Sequence, residues 1–323
     1  MTTDLQQKAV QPLQFSTPTE HGLAHLGPAT PGRATIRRTF MHNPTALVGG
    51  TILVLLTLAA FLGPWITPYS PTAIDLRNVL AGPSPQHPLG TDHLGRDVLS
   101  RLLFGGRNTL AAAFTGIALA TLLGVSIGTV AGFYGGWLDE VCMRIVDILL
   151  ALPTFILALV IAGMLGPGLW NVVAAMVLVR WAGLARVVRG QTLSLREQPY
   201  VEAARAVGAS QRRIIFSHIW PNLIGPITVL VTLDLGSAIL SIASFGFIGL
   251  GIQMPQPEWG AMLNEARIYI QKAPHLMLYP GLSISLTVLS ANLLGDGLRD
   301  ALDPQSARRL ARKGPRAPRT EPC

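Results

Sequence analysis

Residues 47–66 have the sequence LVGGTILVLLTLAAFLGPWI, a run without a single charged side chain. A membrane-spanning helix needs about 20 predominantly apolar residues to cross the hydrocarbon core of a bilayer. Because the apolar runs in this chain are continuous rather than alternating, they predict helices and exclude a membrane β-barrel. The sequence therefore predicts an all-α membrane protein with about six transmembrane helices. The other five runs lie at residues 109–133, 145–165, 169–188, 223–252 and 276–294.

The composition agrees with a protein that uses lipid as part of its solvent. Of the 323 residues, 50% are hydrophobic and only 13% are charged, whereas soluble domains carry about 25% charged residues. The formal net charge of +8 is compatible with nucleic acid or an anionic membrane surface as a partner. In a chain this hydrophobic, we expect the lipid bilayer and no nucleic acid. The two cysteines, Cys142 and Cys323, imply no disulfide framework.

The positive charges predict which side of the membrane holds the ends of the chain. With the N-terminus inside, 18 of the 25 Lys and Arg residues fall on inside segments and six on outside segments. The positive-inside rule therefore favours both termini in the cytoplasm. We expect a flexible cytoplasmic tail at 1–40, a first transmembrane helix with an external loop at 41–107, a core of the remaining spans at 108–302, and a basic cytoplasmic tail at 303–323.

A long polar loop between the fourth and fifth spans has a helix-favouring composition. Pro199 suits the first turn of a helix, and Gly208 permits a sharp turn with positive φ. Ser210 is a good N-cap for a second short helix at 211–219, which we expect Pro221 to end. The pattern predicts two short helices with a glycine corner, presented to a soluble partner. An ordinary basic loop on the positive side of the membrane is the alternative.

This loop resembles a known motif. The sequence EAARAVG at 202–208, with Pro221 thirteen residues after the glycine, is similar to the EAA loop of ABC importer permeases. Trp220 stands where that family usually has leucine before the proline. The resemblance makes 199–221 a coupling loop to an ATPase. Its expected coupling residues are Glu202, Ala203, Ala204, Arg205, Gly208, Arg212, Arg213 and Pro221.

The resemblance extends from about residue 37 to residue 304. The blocks HPLGTD at 87–92 and LGRDVLSR at 94–101 are similar to the external segment of the dipeptide/oligopeptide/nickel group, in the DppC/OppC-like subunit. Together the blocks are far more specific than the EAA loop alone. Further similar blocks lie at 193–197, 206–210, 259–263 and 292–304.

The resemblance implies a type I ABC importer permease fold in the cytoplasmic (inner) membrane of a bacterium. It implies dipeptides or oligopeptides as cargo, with nickel, opines or glutathione as the alternatives. The implied partners are a second homologous permease, one or two P-loop ATPase subunits and an extracytoplasmic substrate-binding protein. The external segments 67–107 and 253–274 would contact the binding protein or the second permease.

No active site is predicted in this chain. None of its three lysines lies in a Gly-x-x-x-x-Gly-Lys-Ser/Thr loop, so we expect ATP and Mg²⁺ on partner ATPases and no cofactor here. His21 and His25 lie four residues apart, but Gly22 and Pro28 argue against the helix that a metal-binding pair would need. We therefore expect no metal site. The remote alternative is a secondary transporter without an ATPase, which has no need of a cytoplasmic coupling loop.

Three charged residues, Asp147, Arg180 and Asp234, lie within or near apolar spans. A lone charge at the bilayer centre costs about 3 kcal/mol on insertion scales, so each is expected to face protein or a water-filled cavity. Asp147 follows Arg144 by three residues, and a pair on one helix face is the simpler interpretation. Asp234 either lines the translocation path or pairs with a partner subunit.

Glycines recur every four residues in and just after the second predicted span. Small residues at this spacing let two helices approach closely in lipid. The spacing predicts tight packing, either within this chain or against a second permease. The four glycines are Gly124, Gly128, Gly132 and Gly136.

Overall fold

The computed structural model describes residues 40–41 and 43–302. The predicted tail at 1–40, apart from residue 40, and the predicted tail at 303–323 lie outside the described residues, as do His21 and His25. Ten α-helices make up the described chain, joined by loops and two short helical turns of other types. They are α1 (Pro44–Ile66), α2 (Val98–Tyr134), α3 (Gly136–Leu150), α4 (Thr154–Leu165), α5 (Leu169–Arg196), α6 (Pro199–Ala206), α7 (Gln211–Ile214), α8 (Trp220–Ile248), α9 (Trp259–Ala266) and α10 (His275–Leu302).

Five helices in the described part of the chain are long and apolar enough to span a membrane: α1, α2, α5, α10 and the continuous helix Gln211–Ile248 that contains α8. The third predicted span, 145–165, is not one helix. It is divided between α3 and α4, which meet at an angle of 88°. Pro153 lies at the break with a φ of -57° and a ψ of 120°, and proline disfavours a helical conformation in the residue before it, here Leu152.

The glycines of α2 reveal how many times the chain crosses the membrane. An added Cβ at Gly124 would contact Leu184, at Gly128 it would contact Val188, and at Gly132 it would contact Thr192. The contacts advance in the same direction along both helices, so α2 and α5 are parallel. Two parallel helices require the chain to return across the membrane between them. The bent pair α3 and α4 makes that return, which completes the six predicted crossings.

These contacts also locate the predicted close packing. Gly124, Gly128 and Gly132 pack against α5 of the same chain, which is the first of the two interpretations of the repeat. Gly136 does not belong to this contact, because nothing lies within 4 Å of the position of its missing Cβ. It forms the turn into α3 with a positive φ of 61°.

The remaining long helices fix the positions of the two described chain ends. Gly49 of α1 approaches Leu293 of α10, whereas Ala46 approaches Gly297. Gly225 of α8 approaches Leu302, whereas Gly236 approaches Asn292. The contacts run in opposite directions along the paired helices, so α1 and α8 are both antiparallel to α10. The start of α1 and the end of α10 therefore lie together, and the side chain of Asn43 donates a hydrogen bond to Asp300 (3.2 Å). This end of the helix bundle is also the one that carries the loop between α5 and α8.

The predicted external segment at 67–107 includes the start of α2. The helix begins at Val98, so Arg101 and Arg107 lie within its first three turns. Asp97 caps the helix, and its carboxylate accepts a hydrogen bond from the backbone N–H of Ser100 (2.7 Å). Aspartate is among the preferred N-cap residues because it satisfies a backbone donor that has no partner inside the helix.

The close packing of α2 on α5 can be tested by substitution of a glycine in the contact. An added Cβ at Gly128 would lie 2.5 Å from the backbone carbonyl oxygen of Ala185, so Gly128→Ala must push the two helices apart. We expect a loss of about 1–3 kcal/mol of stability. Gly190→Ala, in α5 with open space around it, should stabilise the helix by about 0.5–1 kcal/mol. Thermal unfolding of both variants in the same detergent measures the difference, and equal midpoints would contradict the packing.

Candidate functional site

The loop between α5 and α8 contains the two short helices and the glycine corner that the sequence predicts. α6 begins with Pro199 at its first position and ends in a left-handed turn at Gly208, which has a φ of 79°. The N–H of Gly208 donates to the carbonyl of Arg205 (2.9 Å), and the N–H of Ala209 donates to that of Ala204 (3.0 Å). This pair of bonds is a Schellman motif, which favours glycine at the left-handed position.

The second helix of the loop does not end where the sequence predicts. Ser210 caps α7 by accepting from the N–H of Arg213 (3.4 Å), but the helix then continues through a π-helical turn, Ile215–Ile219, directly into α8. The expectation that Pro221 ends it is wrong. Proline has no N–H and its ring displaces the carbonyl of the preceding turn. The wider π turn provides the space that the ring needs.

An apolar cluster fastens this loop to the ends of the long helices. Val201 of α6 and Ile214 of α7 are buried together with Phe133 at the end of α2, Val188 of α5 and Leu223 of α8. A charged group reinforces the junction. Arg196, at the end of α5, donates through Nη1 to the carbonyl of Gly132 (3.2 Å) in the last turn of α2, where unpaired carbonyls and the helix dipole favour a cation.

These anchoring residues were not among those predicted from the sequence. The signal was only partial, because apolar residues at positions 201, 214 and 215 stand among polar ones, but so do the exposed apolar residues at 207 and 216. Their partners belong to helices far away in the sequence, and only the folded chain shows which they are. Phe133 has a second contact, since the guanidinium of Arg205 lies 5.8 Å from the centre of its ring, within the range of a cation–π interaction.

Most of the residues predicted for coupling are exposed, and we call the exposed part of residues 199–221 the loop surface. Ala204 is half-buried, and the others are exposed: Glu202, Ala203, Arg205, Gly208, Arg212, Arg213 and Pro221. Two apolar side chains absent from the prediction belong to it, Val207 (84% exposed) and Phe216 (60% exposed). Exposed apolar groups surrounded by charged ones are typical of a protein-binding surface. The coupling role of each residue stays a prediction.

The charged residues of the spans are paired across helices. Arg180 of α5 donates to Asp234 of α8, with Nε 3.2 Å from Oδ2, and it also contacts Ser237. Asp147 of α3 pairs with Arg186 of α5. The expected pair with Arg144 is not formed. The hydrogen-bonded partner is set by the packing of α3 on α5, which brings residues 39 positions apart together. A role of these residues in translocation stays a prediction.

A cleft of about 360 Å³ opens beside the Arg180–Asp234 pair. Its walls come from α2, α5 and α8, and apart from the ion pair they are almost entirely apolar. Ile117 and Ala120 of α2 line it together with Leu230 and Leu233 of α8. The cleft is therefore a hydrophobic space with one pair of opposite charges at its edge.

At the opposite end of the helix bundle, an ion-pair network joins the two external segments. Arg96 bonds Asp92 (2.6 Å) and Glu265 (2.5 Å), and Arg101 bonds the same two carboxylates (3.3 and 2.9 Å). Both arginines are buried. His93 lies near these carboxylates, but the two arginines already balance both negative charges.

Glu258 makes a second junction at this end of the helix bundle. Its fully buried carboxyl group caps α9 by accepting from the N–H groups of Gly260 and Ala261, and it accepts from the hydroxyl of Thr109 in α2 (all 2.9 Å). Burial raises the pKa of Glu258 to about 7, against the opposing effect of these donors. The external segments are thus held firmly to α2.

Comparison with known proteins agrees with this geometry. Residues 124–308 match the family described as binding-protein-dependent transport system inner membrane component. Residues 31–83 match the N-terminal TM domain of oligopeptide transport permease C. The first match begins within α2 and includes α3 to α10, and the second includes α1 and the first part of the external segment.

Curated relatives cover most of the chain. A dipeptide transport system permease protein, DppC, of Alkalihalophilus pseudofirmus is 45% identical over 81% of this chain and 86% of its own length. A glutathione transport system permease protein, GsiD, of Pectobacterium atrosepticum is 44% identical over 85% of this chain and 92% of its own length. GsiD of Escherichia coli is 45% identical over 83% of this chain and 89% of its own length.

Proposed function

The chain belongs to the family of binding-protein-dependent transport system inner membrane components, the permeases of ABC importers, and we propose that it carries dipeptides or oligopeptides. The loop surface is the observation that supports this function most directly. It is exposed, it contains both charged and apolar side chains, and it is fastened to three membrane-spanning helices. A soluble ATPase that moves this surface moves the spans with it.

ATP hydrolysis takes place on partner subunits in this proposal. The loop surface sits in a groove of a P-loop ATPase, with Glu202 as a polar contact and Val207 and Phe216 as apolar contacts. Arg205, Arg212 and Arg213 give the surface an excess of positive charge, so the groove is acidic. When two ATPases close on ATP, the loop moves as a rigid body and the spans rock toward the outward-open state.

The translocation path needs a second permease, and the cargo arrives on an extracytoplasmic binding protein. The external segments at 67–107 and 253–274, which the arginine network and Glu258 hold to α2, form the surface that receives one of these two partners. A firm surface suits this role because docking then costs little conformational entropy.

Glutathione is the second candidate cargo. The two GsiD relatives match this chain as closely as DppC does. Glutathione is itself a small peptide with free amino and carboxylate groups, so the same path suits both cargoes. The binding protein, which is a separate chain, is expected to make the choice.

The proposed orientation places the loop surface in the cytoplasm of a bacterium, on the inner face of the inner membrane. The support is the 18 to six distribution of Lys and Arg and the shared position of both described chain ends with the loop surface. We expect a cytoplasmic reporter fused at residue 1 or after residue 323 to be active, and a periplasmic reporter at either place to be inactive. Active periplasmic fusions would reverse the orientation.

Uptake by the complete transporter tests the function. We expect membrane vesicles that contain this chain, its second permease, its ATPases and its binding protein to accumulate a labelled dipeptide only when ATP is inside the vesicle with the loop surface. Replacing the P-loop lysine of the ATPases should abolish accumulation. Transport by this chain without any ATPase would contradict the proposal and favour a secondary transporter.

Gly208 gives a sharper test of the coupling loop. Its φ of 79° disfavours a β-branched residue, although open space surrounds the position of its missing Cβ. Gly208→Val should therefore reduce uptake at least tenfold, while the chain still inserts into the membrane. Asparagine tolerates the left-handed conformation, so Gly208→Asn should retain most of the uptake. Equal uptake by the valine and asparagine variants would show that the corner conformation does not matter.

A further inference from the structure

We propose that Arg180 and Asp234 bind the two charged ends of a zwitterionic peptide on its way across the membrane. The substrate carboxylate would bind Arg180, and the substrate ammonium group would bind Asp234. This site assumes the peptide cargo proposed above and adds to it a defined place of contact. Four observations support it, namely the depth of the pair, its exposure, its spare hydrogen-bonding capacity and the cleft beside it.

Both residues lie near the middle of their spans. Arg180 is the twelfth of the 28 residues of α5, and Asp234 is the fifteenth of the 29 residues of α8. Ionised side chains at this depth are rare because they lose their hydration in lipid, and those that occur face the protein interior or a water-filled cavity. A polar contact here serves only a solute that has already entered the membrane.

Asp234 is not enclosed by its own chain. Its side chain is 47% exposed although it pairs with Arg180, whose side chain is 14% exposed. Contact of the ionised carboxylate with acyl chains is costly, so this face of α8 meets water or protein in the assembled transporter. The same face continues with serines at positions 237, 241 and 244, which form a polar line from Asp234 toward the outer end of α8.

The pair retains capacity for a further ligand. Arg180 uses Nε and Nη2 for its contacts with Asp234 and Ser237, and Nη1 makes no hydrogen bond to any residue that the structure describes. Each oxygen of a carboxylate has two lone pairs, so Asp234 can accept from an ammonium group while it remains bonded to Arg180. A zwitterion therefore adds two opposite charges without the loss of the existing ion pair.

The cleft has the size and chemistry for the rest of a small peptide. Its volume of about 360 Å³ is at the lower end of the range for small-molecule sites, roughly 300–1,000 Å³. Apart from the ion pair, Thr121 is the one polar side chain in its lining, so the walls offer little hydrogen bonding that would select one side chain over another. Charged groups bind the ends that all free peptides share, so the site accepts peptides of different sequence.

Cysteine labelling tests the site without transport. Ser237→Cys is introduced into a chain with Cys142→Ala and Cys323→Ala, and the complex with the second permease and the ATPases is placed in lipid nanodiscs without binding protein. Iodoacetamide reacts with thiolate, which forms in water and not in lipid. We expect Cys at 237 to be alkylated, as measured by mass spectrometry. Leu289→Cys, at similar depth on the exposed apolar face of α10 (55% exposed), should remain unreactive.

Protection by peptides then tests the binding. Millimolar dialanine should slow alkylation at position 237, whereas N-acetyl-dialanine amide, which has the same backbone and no charges, should not. Asp234→Asn should raise the dialanine concentration needed for half-protection at least tenfold, and Asp234→Glu should restore most of the affinity. The glutamate variant separates a role in binding from a role in folding, because it keeps the charge.

Several results would overturn the site. An unreactive cysteine at position 237 would mean that this face is covered by the second permease or by lipid. Equal protection by charged and capped dialanine, or no protection by either, would mean that the ion pair only joins α5 to α8. Dipeptide uptake by the wild-type transporter is measured separately. Uptake without protection would support the proposed cargo and contradict the binding site. Protection without uptake would contradict the cargo and support a site for another zwitterion.

Discussion

Three glycines bring the backbones of α2 and α5 into contact, and the parallel direction of that contact determines much of the remaining structure. Parallel neighbours cannot be joined by a turn at one end, so the chain must cross the membrane between them. α4 alone, with 12 residues, is about 18 Å long and cannot cross a hydrocarbon core of about 30 Å. The bent combination of α3 and α4 solves this problem, and ion pairs from Asp139 and Asp147 to α5 hold α3 in place.

The same contact lets a movement of the loop surface reach the membrane-spanning helices. α2 and α5 end together beside the loop surface, where Arg196 joins α5 to α2, and Phe133 and Val188 pack against α6 and α7. The second helix of the loop has no break before α8, because the π turn allows it to pass Pro221. A displacement of the loop surface therefore reaches three spans through packed side chains and continuous helix. Gly208 fixes the angle between α6 and α7, which determines how the surface is presented.

The sequence predicts some parts of this structure well because local chemistry determines them. Uninterrupted apolar runs mark the spans, and glycine at 208 with serine at 210 marks a corner followed by a helix start. The prediction from sequence fails where local chemistry allows more than one result or a distant neighbour decides it. Proline can kink a helix or end it, and at Pro153 the apolar run divides into two helices that meet at 88°. Arg144 is nearer to Asp147 in sequence, yet the packing of α3 on α5 selects Arg186.

The Arg180–Asp234 pair shows how pairing between distant residues places charges within the membrane. Arg180 and Asp234 lie 54 residues apart, and together they carry no net charge, which lowers the cost of placing either one at mid-membrane. A fully enclosed pair would only join two helices. Here the carboxylate is half exposed beside an apolar cleft, and part of the guanidinium has no partner among the described residues. A path built in this way recognises opposite charges at the ends of a solute and leaves the selection of its side chains to a separate binding protein.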